Sequence, residues 1–192
     1  MNFKISDKNV GADRPCFIIA EMSANHNQSY DLAVKTVEAA QEAGADAIKF
    51  QTYTPDTITI DSDQEYFKIN HGTIWDGKTL YELYKEAYMP WEWQPKLKKI
   101  ANKKGLACFS SPFDPTSVDF LESMNVPIYK VASSEICDLP LLKKIAKTNK
   151  PIILSTGMAT LREIDEALST INGEGNDKVI LLKCTSAYPA SP

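Results

Sequence analysis

Six short apolar runs, each closed by polar residues, recur along this chain: "CFIIAEM", "AIKFQTY", "LACFSSP", "IYKVASS", "PIILSTG" and "VILLKCTS". They are near-continuous in hydrophobicity rather than alternating, which is the pattern of parallel strands covered by helices. Helical patterns lie between them. "YDLAVKTVEAAQEAG" sets Ala33, Val37 and Ala40 on one stripe and stops at Gly44. "WQPKLKKIANKKG" ends in lysines and Gly105, and "DPTSVDFLESM" opens with Asp114 as N-cap and Pro115 at the first helical position. "TLREIDEALSTING" begins with Thr160 and Glu163 in a capping box and repeats Ile164, Ala167, Leu168 and Ile171. The series predicts βαβαβαβαβαβ, an α/β fold.

Six strands and five helices in alternation suit a doubly wound sheet or a (β/α)8 barrel. Every strand ends in polar residues, not just the pair beside one switch point, and no Gly-rich dinucleotide fingerprint follows the first strand. Both features favour the barrel. Two βα units are then missing, so residues 1–192 are expected to be the N-terminal part of a (β/α)8 TIM barrel, with two open edges and no activity of their own. Residues 54–92 break the rhythm. They are polar, aromatic-rich and too long for a plain connection, so they read as an excursion above the second strand with "TLYELYKEA" a short helix.

Composition narrows the partners. Net charge is −4 with no block of like charges, which argues against a nucleic-acid or membrane surface. "MNFKISDKNVGADRP" is polar with no apolar core, and no run is long enough to span a bilayer, so a cytoplasmic protein is expected. Cys16, Cys108, Cys137 and Cys184 are far apart and read as reduced packing residues.

In β/α folds ligands bind at the C-terminal edge of the sheet. Those edges offer Glu21 with Asn25, His26 and Asn27; Lys49, Gln51 and Tyr53; Ser110 and Ser111; Lys130, Ser133, Ser134 and Glu135; Ser155 and Thr156; and Lys183, Thr185, Ser186 and Tyr188. Period-two alternation puts Lys49, Gln51 and Tyr53 on one face and Ile48 and Phe50 on the other. Lysines embedded in strands are rarely buried without a partner, so Lys49 and Lys130, with serines around them, call for an anion. Lys183 is expected to turn outward or pair with a carboxylate. Glu21 and Glu135 could neutralise the lysines, or serve sugar binding and proton transfer. At the fourth strand the parity is uneven, because Lys130 and Ser133 are an odd step apart.

At these residues the chain resembles the sialic acid synthase family, on the side of its pseudaminic acid synthases. The likeness runs through "FIIAEMSANHNQS", "GADAIKFQTYTPDTIT", "FSSPFD", "YKVASSE", "LSTGMA" and "LLKCTSAYP". The resemblance implies a barrel that condenses phosphoenolpyruvate with an N-acylated sugar, giving a nine-carbon keto acid and phosphate. It also implies a C-terminal antifreeze-like domain beyond Pro192 and a homodimer. By motif position it assigns phosphoenolpyruvate contacts to Lys49, Ser111, Lys130, Ser133, Ser155 and Ser186, and places Glu21, Gln51, Glu135 and Tyr188 around the sugar and reacting carbons. The family's divalent metal, Mn²⁺ with Mg²⁺ or Co²⁺ as alternatives, is held by histidines on later strands, so no ligand is expected among residues 1–192. "CTSAYP" departs from the "CTN" of sialic acid synthases at Ser186, and "AEMSANHN" from their "AEIGxNHNG". Glu135 is expected to handle the water that adds to the substrate. Three other activities fit the same residues: an N-acetylneuraminate or legionaminate synthase, a Schiff-base barrel lyase with a strand-end lysine, and a non-catalytic sugar-binding protein.

Overall fold

The computed structural model describes residues 3–70, 72 and 74–185. The chain opens with a feature the sequence reading missed, an antiparallel hairpin of β1 (Phe3–Ile5) and β2 (Lys8–Val10). Three-residue strands interspersed with lysines carry too little periodicity to be seen. Its role is clear from its contacts. Ile5 is fully buried in one apolar cluster with Ala47, Ala107 and Phe109, and Lys8 pairs with Asp46 at 2.6 Å. Asp46 immediately precedes the second parallel strand and also accepts the Ile18 amide at 2.7 Å. The hairpin therefore covers the N-terminal end of the sheet.

After it come β3 (Ile19–Glu21), α1 (Tyr30–Glu42), β4 (Ala47–Thr52), the short α2 (Pro55–Ile58), α3 (Leu80–Ala87), α4 (Gln94–Lys103) and β5 (Ala107–Pro112). The second half runs α5 (Pro115–Ser123), β6 (Tyr129–Val131), α6 (Leu139–Ala146), β7 (Ile152–Ser155), α7 (Leu161–Gly173) and β8 (Val179–Leu182). Strands β3 to β8 form one parallel sheet whose spatial order equals the chain order. A doubly wound sheet reverses direction at a switch point; this one never does, as in a barrel wall.

Local chemistry sets the helix starts. Ser29, Asp114, Asp138 and Thr160 each accept a first-turn amide. The expected reciprocal box of Thr160 and Glu163 is present. Gly44 and Gly105 end α1 and α4 at φ 81 and 79, a conformation that side chains with a Cβ rarely adopt. Outside the sheet, Ile48, Phe50 and Cys108 pack with Ala33, Val37, Leu97 and Ala101 from α1 and α4. Further round, Val131 and Leu154 lie in the cluster that holds Ile5, with Val118, Leu121, Leu141, Ile145 and Ala167. Among the described residues no helix is long and apolar enough to cross a membrane. The cysteines need a correction. All four are free, but only Cys108 is buried, while Cys16 and Cys137 are exposed and Cys184 lies between.

Candidate active site

Register decides which strand-end residues meet. Lys49 lies opposite Glu21 and Phe109, Gln51 opposite Ser111, Lys130 opposite Ile153 and Ser155 opposite Leu182. Because neighbours in register share a face, Glu21, Lys49, Gln51, Ser111, Lys130 and Ser155 all fall on the face away from α1 and α4. The structure brings together what the alternation predicted.

Two ammonium groups dominate that face. Lys49 is 6 % exposed; its Nζ donates to Ser111 Oγ at 3.4 Å and lies 3.6 Å from a Glu21 oxygen. Lys130 is 7 % exposed and donates to Ser155 Oγ at 2.6 Å and to the Val131 carbonyl at 3.0 Å. Burial lowers the pKa of both. For Lys130 repulsion from Lys49 adds to burial, against the pull of Glu21, Cys184 and Glu135, and the value falls to about 8. The Glu21 side chain is 58 % exposed, so water screens the one carboxylate paired with these cations. The serines supply acceptors but no charge. Two buried ammoniums thus face the largely exposed Glu21 and the partly buried Glu135, an arrangement that can take up an anion.

Beyond β6 the chain turns into a 3-10 helix, Ser133–Cys137. This explains the uneven parity: strand alternation ends at Val131 and does not reach Ser133. The turn orients two groups. Ser133 Oγ accepts the Gly157 amide at 3.1 Å, tying this loop to the end of β7. Glu135 accepts from the Ser134 hydroxyl at 2.9 Å, and burial pushes its carboxyl pKa up while Lys130 pulls it down.

The "SANHN" segment divides. Ser23 donates to the Gln51 side-chain oxygen at 3.3 Å, and Asn25 donates to the Met22 carbonyl at 3.0 Å. Asn25 and Asn27 are exposed. His26 is fully buried instead. Its ring stands edge-on to Trp93 at 5.9 Å and its Nδ1 accepts the Gln28 amide at 3.2 Å. Thus His26 packs toward Trp93 and away from the strand edge where the sequence groups it with Glu21. Tyr53 is likewise no open pocket residue: it is 3 % exposed, between the rings of Tyr84 and Phe113. Ser186 and Tyr188 lie outside the described residues. Lys183, expected to turn outward or pair, is exposed.

Sequence reading missed three contributors. Gln94, at the start of α4, is fully buried and binds Thr52 and the Gln51 carbonyl. Gln28 and Tyr84 link the first loop and the 54–92 excursion to the site. Nothing in their local patterns marks them, although "QSY" after "NHN" falls where a helix cap belongs. Among the described residues no three His, Cys, Asp or Glu side chains come together as a metal site.

A family model described as the NeuB family matches residues 36–192. The chain belongs to the NeuB family. Similar curated relatives include the pseudaminic acid synthase of Helicobacter pylori, 49 % identical over 92 % of this chain and 52 % of the relative. That of Campylobacter jejuni is 47 % identical over 95 % of this chain and 53 % of the relative. This NeuB-family chain spans about half the length of those relatives. Among solved structures, the N-acetylneuraminic acid synthetase of Leptospira borgpetersenii, in complex with citrate, superposes with a TM-score of 0.85 at 30 % identity. The match covers all of this chain and 61 % of that one. The fold is that of a (β/α)8 barrel, of which this chain forms a six-strand part.

Proposed function

We propose that this chain is the phosphoenolpyruvate-binding part of a pseudaminic acid synthase. The reaction joins phosphoenolpyruvate, 2,4-diacetamido-2,4,6-trideoxy-L-altrose and water into pseudaminic acid and phosphate, with cleavage of the C–O bond. The observation that carries this reading is the pair of buried ammoniums, Lys49 on Ser111 and Lys130 on Ser155. Phosphoenolpyruvate brings a phosphate and a carboxylate at a fixed spacing, and two cations with hydroxyl neighbours match it and orient its C3 toward the sugar aldehyde. Attack by C3 leaves positive character at C2, where water adds before phosphate departs. Glu135, whose carboxyl burial pushes above its ordinary range, takes the proton from that water.

A divalent cation, Mn²⁺ by preference with Mg²⁺ or Co²⁺ as alternatives, belongs to the proposal. The described residues bring no ligand cluster to it, so no step is assigned to it. A cytoplasmic homodimer, in which a C-terminal antifreeze-like domain reaches a partner's site, completes the reading.

The test uses the full-length protein with Mn²⁺ and phosphoenolpyruvate, following phosphate release with the diacetamido sugar and, separately, with N-acetylmannosamine. Release with the first alone is expected. Release with the second alone moves the chain to the sialic acid synthases. Glu135→Gln is expected to cut turnover with little change in either KM, and unchanged turnover removes Glu135 from the water step. One observation favours a second reading: a lysine lowered to about 8 also suits Schiff-base chemistry. Borohydride trapping with a keto acid labels Lys130 only in that case.

A further inference from the structure

Helix α3 of the excursion is fastened at both ends. Thr79 and Glu82 form a reciprocal capping box at its start, and Tyr81 donates to Asp56 of α2 at 2.9 Å. At its C-terminal end the Gln28 side-chain amide donates to the carbonyls of Glu86 (3.1 Å) and Tyr88. Gln28 reaches them from a turn in which Asn27 and Gln28 both hold left-handed backbone, at φ 46 and 55. Strained backbone at a loop that serves a site is a conformation the surroundings must maintain.

Between these fastenings stands Tyr84. Its ring meets Tyr53 edge-on at 5.5 Å, and Tyr53 meets Phe113 at 5.4 Å. Tyr53 follows β4 and Phe113 follows β5, so the three rings wall the strand-end side where Gln51 and Ser111 lie in register. Tyr84 is half-buried. Burial, and after it the charge of Glu135, raise its pKa, which sets the phenol within the field of that carboxylate. Among the described residues the Tyr84 hydroxyl has no hydrogen-bond partner.

We propose that Tyr84 is a specificity-determining residue, the point at which the excursion meets the sugar beside Glu135. A phenol in that place offers one hydroxyl and a broad apolar edge. It suits a sugar carrying methyl and acetamido groups better than a fully hydroxylated one. The inference rests on the proposed reading of the site as a sugar-condensing one.

The test compares Tyr84→Phe and Tyr84→Leu in the full-length protein with Mn²⁺ and phosphoenolpyruvate. Sugar KM, and sugar Kd by calorimetry, are expected to rise roughly tenfold in Tyr84→Leu and less in Tyr84→Phe, with phosphoenolpyruvate KM within about twofold. A merely structural role would not move one substrate alone. A third readout is the Glu135 carboxyl titration by carbon NMR, assigned with Glu135→Gln, in a site where Lys130 and Asp138 are the other charges acting on it. Tyr84→Phe is expected to leave it in place, because the Tyr84 hydroxyl makes no hydrogen bond to the carboxylate, so a change in sugar binding is read apart from any change at Glu135. Unchanged sugar KM and Kd in both variants overturn the assignment, whatever Glu135 does. Wild-type protein that binds the diacetamido sugar but releases no phosphate sinks the synthase reading. Weakened sugar binding in Tyr84→Leu would then still place Tyr84 against the sugar.

Discussion

Strands β4, β5 and β6 bury polar side chains on both faces of the sheet, and the two faces finish them differently. On the helix side, Thr52 donates to Gln94 at 2.9 Å and shares a 2.6 Å hydrogen bond with Ser110, while the Gln94 amide reaches the Gln51 carbonyl at 3.3 Å. All of these groups are neutral, and the set closes on itself. On the other face Lys49 and Lys130 sit almost as deep, with serine hydroxyls, the largely exposed Glu21 and the half-buried Glu135 for company. The first set contributes to the fold; the second leaves buried charge that its neighbours do not fully balance, as an anion-binding site would. Buried polarity is therefore not one signal but two, told apart by whether donors, acceptors and charges balance.

The widest separation between the faces should come from one substitution on each. In the full-length protein, on the proposed function, Lys130→Met is expected to lower phosphate release by roughly 10²–10³-fold, as loss of a preorganised cation does. It should leave Tm unchanged or raised, because an incompletely compensated buried charge is gone. Thr52→Val is expected to do the reverse. It leaves Gln94 and Ser110 with unmet groups at a cost of about 1–3 kcal/mol, while KM for phosphoenolpyruvate stays within about twofold. Thermal melts and steady-state kinetics on both variants check this. A Lys130→Met protein that melts below Thr52→Val would break the comparison.

The sequence carries the two faces unequally. Alternation in "AIKFQT" is enough to oppose Lys49 to Ile48 and Phe50, and the structure keeps that division. The strand order follows from short, regular connections. What stays hidden depends on distance. Thr52, Ser110 and Gln94 are joined across separations of 42 and 58 residues, and no local pattern marks a glutamine as buried. His26 and Tyr53 mislead for the same reason. Their neighbours make them read as pocket residues, yet Trp93, Tyr84 and Phe113, far along the chain, decide which way they face. The hairpin of β1 and β2 escapes because each strand is only three residues long.

A second contrast between the faces is their response to pH. The helix-side set has nothing to titrate. Lys130, held at about 8 against an ordinary 10.5, binds fewer protons in the folded than in the unfolded chain between those values. Stability should therefore rise with pH across that interval, and Lys49, shifted the same way by burial, adds to it. On the proposed function, phosphoenolpyruvate binding requires the ammonium form, so its affinity should fall by roughly tenfold per pH unit above about 8, with proton uptake on binding there. Calorimetry in two buffers of different ionisation enthalpy measures that uptake. Lys130→Met should reduce that uptake and remove the Lys130 part of the stability profile, leaving the Lys49 part.

His26 belongs to neither face's solution, and it supplies the smallest expected effect. It is buried and neutral, and among the described residues its Nε2 has no hydrogen-bond partner. Burial holds its pKa below the ordinary 6.5. The folded chain thus binds fewer protons at this site than the unfolded chain as the pH drops below that value. The stability it protects is fully present above 6.5 and is lost as pH falls through the lowered folded value. His26→Phe keeps a ring edge-on to Trp93 but cannot titrate, so its Tm should fall less than wild type between pH 7 and pH 5. Glu135 cannot counterfeit this result. Its raised carboxyl pKa makes the folded chain take up protons first, which stabilises it as pH falls. Parallel Tm profiles for wild type and His26→Phe would mean that the imidazole is wetter than its burial implies. The buried polar groups of this chain would then divide cleanly into closed and ligand-seeking sets.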